Sequence, residues 1–145
     1  MAEPLPLWTK VRTLRRRAMA KRSVRQLMVA GSLGRASYAL GLLLVPHTMT
    51  KLRLAAPTRG NPIATMTTRG FGAVHANVAL LSLYAVARNR NQRTAAGLSL
   101  GCDLGDAIAT LLEWRTGELG NGPAAASVAL QAASMASWAA ALRHT

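Results

Sequence analysis

The chain has little of what a soluble catalytic or binding domain is usually built from. Among its 145 residues are five Asp and Glu, three His, one Cys and one Phe. A single cysteine excludes an intrachain disulfide, and Cys102, set in an apolar segment, reads as a small buried apolar residue. His47, His75 and His144 have no metal-ligand spacing with one another or with Cys102, and no serine or cysteine has a matching His and Asp set. No metal, no cofactor and no catalytic residue is therefore expected. The scarcity of aromatics also bears on the formal charge of +13. Such a charge ordinarily suggests nucleic acid or an anionic membrane. A nucleic-acid binder interleaves its basic residues with polar and aromatic ones to reach phosphates and bases. Here the basic residues are concentrated in a head, so nucleic acid is not the expected partner.

What the chain does have is long apolar runs. A hydrocarbon core about 30 Å thick is crossed by roughly 20 apolar helical residues. Four runs approach that length, at about 27–45, 70–87, 94–112 and 124–142. They predict an all-α protein: a four-transmembrane-helix bundle over residues 27–142, preceded by a basic N-terminal segment, 1–26. Pro46 ends the first run, and Pro123 suits the first turn of the last helix. Gly117, Gly120 and Gly122 mark the turn before it. The short stretch 89–93, NRNQR, makes the second and third runs an antiparallel hairpin. The connection from His47 to Arg69 holds Pro57 and Pro62 and reads as irregular, with a short surface helix around Lys51 to Ala56.

Basic residues accumulate on the cytoplasmic side of membrane proteins. With the N-terminus inside, that side receives Lys10, Arg12, Arg15, Arg16, Arg17, Lys21, Arg22 and Arg25 of the head, with Arg88, Arg90, Arg93 and Arg143. The outer side receives only Lys51, Arg53, Arg59, Arg69 and Arg115. Both termini are thus expected in the cytoplasm, and the first run acts as an uncleaved signal anchor. In the head, Leu7, Val11, Leu14 and Ala18 recur at helical spacing among the basic residues. That pattern fits an amphipathic helix on an anionic inner leaflet, and a solvated tail that only fixes topology fits equally well. Either way, membrane lipids, anionic ones included, are the expected contacts of the head.

The stretch 97–114, GLSLGCDLGDAIATLLEW, carries two carboxylates inside an apolar run. At 100° per residue, Ser99, Asp103, Asp106, Thr110 and Glu113 form one polar stripe. Gly97, Gly101 and Gly105 form a ridge almost opposite, suited to close helix packing. Leu100, Leu104, Ile108 and Leu111 lie between and are expected to face lipid. A rise of about 1.5 Å per residue places Arg35 of the first run and Asp103 within roughly 2 Å of the same depth. An intramembrane charge is normally paired and turned inward, so Arg35, Asp103 and Asp106 are expected to cluster, with His75 and Asn77 of the second run within reach of Asp106. Arg69 and Glu113 share the outer boundary and are expected to pair there.

Three functional readings follow. The first is a non-enzymatic accessory or assembly subunit that packs on other membrane subunits, or on copies of itself, through the glycine ridge and the Ala-rich fourth run. The second is a small transporter or binding protein for a proton, cation or lipophilic ligand, centred on Asp103 and Asp106. The third is a membrane-bound enzyme of lipid metabolism, for which the chain has too few acids to hold divalent ions. The arginine in the first run, Arg69-Gly70 opening the second and Gly105-Asp106 in the third together resemble small, mostly uncharacterised four-helix integral membrane proteins of high-GC bacteria, over residues 27–142. An excess of Ala and Arg over Lys has the same association. The resemblance implies a multi-pass protein of the bacterial plasma membrane and supplies no activity.

Overall fold

A computed structural model describes residues 7–54 and 61–144. The chain forms α1 (Leu7–Leu44), α2 (Pro46–Leu54), α3 (Pro62–Ala87), α4 (Gln92–Arg115) and α5 (Asn121–His144). Four of these, α1 from Met19 onward, α3, α4 and α5, are long and apolar enough to cross a membrane. This is the architecture of a multi-pass integral membrane protein. The four long helices run up and down in turn: α1 packs most extensively on α3, α4 on α5, and the two pairs close against each other. One end of the bundle carries the start of α1, the end of α5 and the α3–α4 turn; it is called the basic end below. The other carries α2 and the α4–α5 connection.

The basic head is not a separate element. α1 runs without interruption for 38 residues, about 57 Å, well beyond a hydrocarbon core of about 30 Å. No proline falls between Leu7 and Leu44 to break it. Arg12, Arg15, Lys21, Arg22 and Arg25 are exposed on the helix. The side chains of Lys10, Arg16 and Arg17, and those of Leu7, Val11, Leu14 and Ala18, lie outside the described residues, as do residues 55–60 of the first connection.

The other helices are also longer than their apolar runs. α3 begins at Pro62, not near Gly70, because Asn61 caps it: its side chain accepts the Ala64 amide at 3.1 Å, and Pro62 occupies a first-turn position that needs no donor. Thr65, Thr67 and Thr68 return their hydroxyls to carbonyls four residues back, which hides polar groups within this first part of the helix. The short helix foreseen at 51–56 is observed earlier, as α2, starting at Pro46. α4 ends in a turn that requires glycine: Gly117 has φ +80, and the Glu118 amide donates to the Glu113 carbonyl at 3.1 Å.

Core positions are filled mostly by small residues. At the basic end Val24, Met28, Ala85, Val86, Ala95, Ala96, Trp138 and Ala141 form the apolar core. Toward the other end α1 and α3 touch through Gly72. A Cβ there would lie 2.9 Å from Leu43 Cγ and 3.0 Å from the Ala39 carbonyl oxygen. Backbone cannot retreat as a side chain can, so Gly72 sets the α1–α3 spacing. The ridge of Gly97, Gly101 and Gly105 is open: among the described residues, α4's own backbone aside, nothing lies within 4 Å of a Cβ added at any of the three. The ridge does not pack inside the bundle because the polar stripe on the opposite side of α4 takes the inward position. Gly72→Ala is expected to lower stability by about 1–3 kcal/mol through overpacking. Gly101→Ala is expected to be neutral or to stabilise by up to about 1 kcal/mol through helix propensity. Thermal unfolding of both variants in detergent measures the contrast.

Candidate functional site

The site is a buried polar cluster halfway along the bundle, and it begins with helical spacing. On α1, Met28, Ser32, Arg35, Ala39 and Leu42 are buried at alternating intervals of four and three, the stripe of a helix facing a bundle core. Arg35 is thus a core position occupied by a cation. On α3 the buried set includes Gly72, His75, Ala79, Ser82 and Val86, and on α4 Ala96, Ser99, Asp103, Ala107 and Thr110. α5 brings Gln131 and Trp138, also buried, with Ser134 half-buried between them.

Arg35 and Asp103 meet. The Nη2 of Arg35 donates to Asp103 Oδ1 at 2.6 Å, with both side chains almost wholly buried. The same nitrogen donates to the Ser99 carbonyl at 3.1 Å. The other oxygen of Asp103 accepts the Ser134 hydroxyl at 2.6 Å. Asp106, one turn further along α4, lies 3.2 Å by its Oδ2 from Nε2 of His75. The remaining ring nitrogen, Nδ1, lies 3.1 Å from Arg35 Nη1. Three of the four helices are linked by these ion contacts, and Ser134 adds the fourth. Around them, Ser82 and Ser99 share a hydroxyl bond at 3.1 Å. Thr110 donates to the Asp106 carbonyl at 2.8 Å and accepts from Gln131 at 3.2 Å. Trp138 places its ring 6.0 Å below the Arg35 guanidinium carbon, at the outer edge of cation–π range.

Donor and acceptor chemistry settles the form of His75. A guanidinium has only donors, so Nδ1 must offer its lone pair to Arg35. The single ring proton then sits on Nε2 and points to Asp106. Tyr38 meets the ring edge-on at 5.3 Å between centroids, and Phe71 stacks near it at 6.2 Å, holding the imidazole in this plane. Arg35 Nε and Gln131 Oε1 are buried without a hydrogen-bond partner, so the network is not fully satisfied. Among the described residues no three His, Cys, Asp or Glu side chains gather to hold a metal. Cys102 is half-buried beside the cluster with a free thiol.

Not all residues proposed for the site reach it. Asn77 is exposed; two residues beyond His75, it lies roughly 160° around α3, away from the core. Arg69 and Glu113 form no ion pair with each other; Arg35 pairs with Asp103, and His75 is hydrogen-bonded to Asp106. Arg69 is exposed, about 120° around α3 from His75, while Glu113 is half-buried on α4. Equal depth brought them level, and rotation of the helix kept them apart. Conversely, Ser82, Gln131 and Ser134 belong to the cluster without having been singled out. Ser127, Gln131, Ser134 and Trp138 recur at intervals of four and three through the alanines of α5, and that recurrence is the signal that finds them. Leu104, Ile108 and Leu111 are exposed as expected of lipid-facing residues, whereas Leu100 packs partly against the core.

The assigned proton position is directly observable. In ¹⁵N spectra of the full-length protein, His75 is expected to show an unprotonated Nδ1 and a protonated Nε2, and Arg35→Gln is expected to release that preference. No protein-family model, curated protein or solved structure matches this chain.

Proposed function

We propose that the chain is a non-enzymatic accessory or assembly subunit of the bacterial plasma membrane, with both termini in the cytoplasm, that packs against other integral membrane proteins through α4 and α5. The observation that carries this reading is the open glycine ridge. Gly101 and Gly105 are exposed, Gly97 is half-buried, and among the described residues, α4's own backbone aside, no atom stands within 4 Å of a Cβ added at any of them. Beside it, α5 is the least buried of the spanning helices and exposes Ala125, Ala129, Ala132 and Ala136 along one stripe. Lipid gains little from such surfaces, while another helix can approach them closely and gain packing contacts. The orientation is supported by exposed Arg88, Arg90, Arg93 and Arg143 at the same end as the basic head.

A second reading, binding or relay of a proton or cation, is favoured by one observation: the His75 Nε2 to Asp106 Oδ2 contact at 3.2 Å pairs two groups that exchange protons readily. It would require a path from the cluster to one membrane face.

Isolation in mild detergent after crosslinking in native membranes tests the first reading. An unrelated integral membrane protein is expected at fixed stoichiometry, and Gly101→Leu with Ala129→Leu is expected to reduce its recovery by about tenfold, equivalent to about 1.4 kcal/mol, at unchanged stability of the bundle. Isolation of the chain alone, indifferent to both substitutions, contradicts the proposal. A proton flux in reconstituted vesicles abolished by Asp106→Asn would move the second reading ahead.

A further inference from the structure

Where the turn at Arg88 to Asn91 joins α3 to α4, the basic end holds a half-open groove of about 790 Å³. One wall is a single stripe of α3, with Leu81, Tyr84, Ala85 and Arg88 at intervals of three, one and three; Arg90 of the turn and Thr94 of α4 face it. Leu81, Tyr84, Arg88 and Arg90 are all exposed, so the groove opens sideways, toward surrounding lipid. From Arg88 to Leu81 it extends seven residues along the helix, about 10 Å, or about a third of a hydrocarbon core. Its chemistry is graded over that distance. Leu81 and Ala85 are apolar, and Tyr84 is an aromatic with a polar tip of the kind that marks the headgroup level. The Arg88 guanidinium carbon stands 5.6 Å from the Tyr84 ring centroid, within cation–π range, which holds that cation at the mouth.

Among the described residues neither arginine has an acidic partner. The acids that do meet a basic side chain, Asp103 with Arg35 and Asp106 with His75, lie in the central cluster. The next acid along α4 is Asp103, eight residues beyond Ala95 and about 12 Å deeper, where Arg35 already engages it. An apolar slot topped by two uncompensated guanidinium groups complements a phosphodiester with an acyl chain below it. We propose that this groove binds one anionic phospholipid, its phosphate held by Arg88 and Arg90 and an acyl chain laid past Tyr84 onto Leu81. The head on α1 attracts anionic lipid diffusely; the groove selects a single molecule. This inference needs only that the long helices span a bilayer, and it stands whether or not the α4–α5 face has a partner.

Native mass spectrometry of the full-length protein in detergent, titrated with phosphatidylglycerol or phosphatidylcholine, tests it. One phosphatidylglycerol is expected to be retained in preference to phosphatidylcholine. Arg88→Gln with Arg90→Gln is expected to weaken retention by about 25-fold, roughly fivefold per arginine. Arg12→Gln with Arg15→Gln removes the same charge from the head and is expected to change retention by less than about twofold: Val24 packs in one cluster with Ala85 and Ala95 of the groove, and Arg15, nine residues before Val24, lies about 13 Å further along α1, beyond a Debye length of about 8–10 Å. Arg88→Lys with Arg90→Lys, which keeps the charge, is expected to keep most of the binding and serves as the folding control. Equal loss in the head variant, or equal binding of phosphatidylcholine, would overturn the proposal. So would inorganic phosphate binding as tightly as the lipid, because the apolar slot would then contribute nothing.

Discussion

A guanidinium in the middle of a membrane helix bundle cannot shed its proton and must be met by acceptors. Arg35 imposes that constraint on every helix of this protein. α4 answers with Asp103 and the Ser99 carbonyl, and α3 with the lone pair of His75. α5 answers indirectly, through the Ser134 hydroxyl on Asp103. His75 in turn commits its other nitrogen to Asp106. Rotating any one helix by a single residue, or sliding it by a turn, leaves at least one of these charged groups facing an apolar neighbour. Burying such a cluster is weak evidence for net stability, and the orphaned Arg35 Nε adds to its cost. Its effect is discrimination: of the ways four apolar helices can pack, it selects the one in which the charges meet.

The small residues serve the same arrangement. Short hydrogen bonds across helix interfaces need close backbones, and the buried Ser32, Ala39, Gly72, Ala79, Ser82, Ala96, Ser99 and Ala141 allow them. A core of this kind gains little from the hydrophobic effect in lipid and relies on dispersion contacts and fitted polar pairs. The same composition continues onto the outside of α4 and α5, where no internal need accounts for it. The interior is therefore explained by Arg35, and the exterior small-residue stripes are what the proposed docking role rests on.

The central pair was legible in the sequence, and the reason is physical. Depth follows from counting residues along helices of fixed rise, and an arginine and an aspartate at one depth in an otherwise apolar chain have few alternatives. Rotation was legible only where a helix is amphipathic. α4 carries its polar groups on one stripe, so Asp103, Asp106, Ser99 and Thr110 could be assigned to one face. α3 scatters its polar residues around the helix, so its rotation was not legible: Asn77, expected near Asp106, and Arg69, expected at the outer boundary with Glu113, are both exposed. Glycine spacing announces a surface able to accept a helix without saying whether that helix is in the same chain: Gly72 meets α1, and Gly101 meets no other helix among the described residues. The start of α3 was missed because Asn61-Pro62, a cap and a first-turn proline, lies outside the apolar run by which the span was located.

The central claim is that Arg35 and Asp103 hold the four helices in register as a pair. The direct measurement is a double-mutant cycle of unfolding free energy in detergent over wild type, Arg35→Gln, Asp103→Asn and the two combined. Each single change is expected to cost about 3–5 kcal/mol, because it strands a buried charge, and the double to cost clearly less than their sum, leaving a coupling of about 1–3 kcal/mol. Additive losses, or an Asp103→Asn variant as stable as wild type, would contradict the account and leave the carboxylate without a structural role.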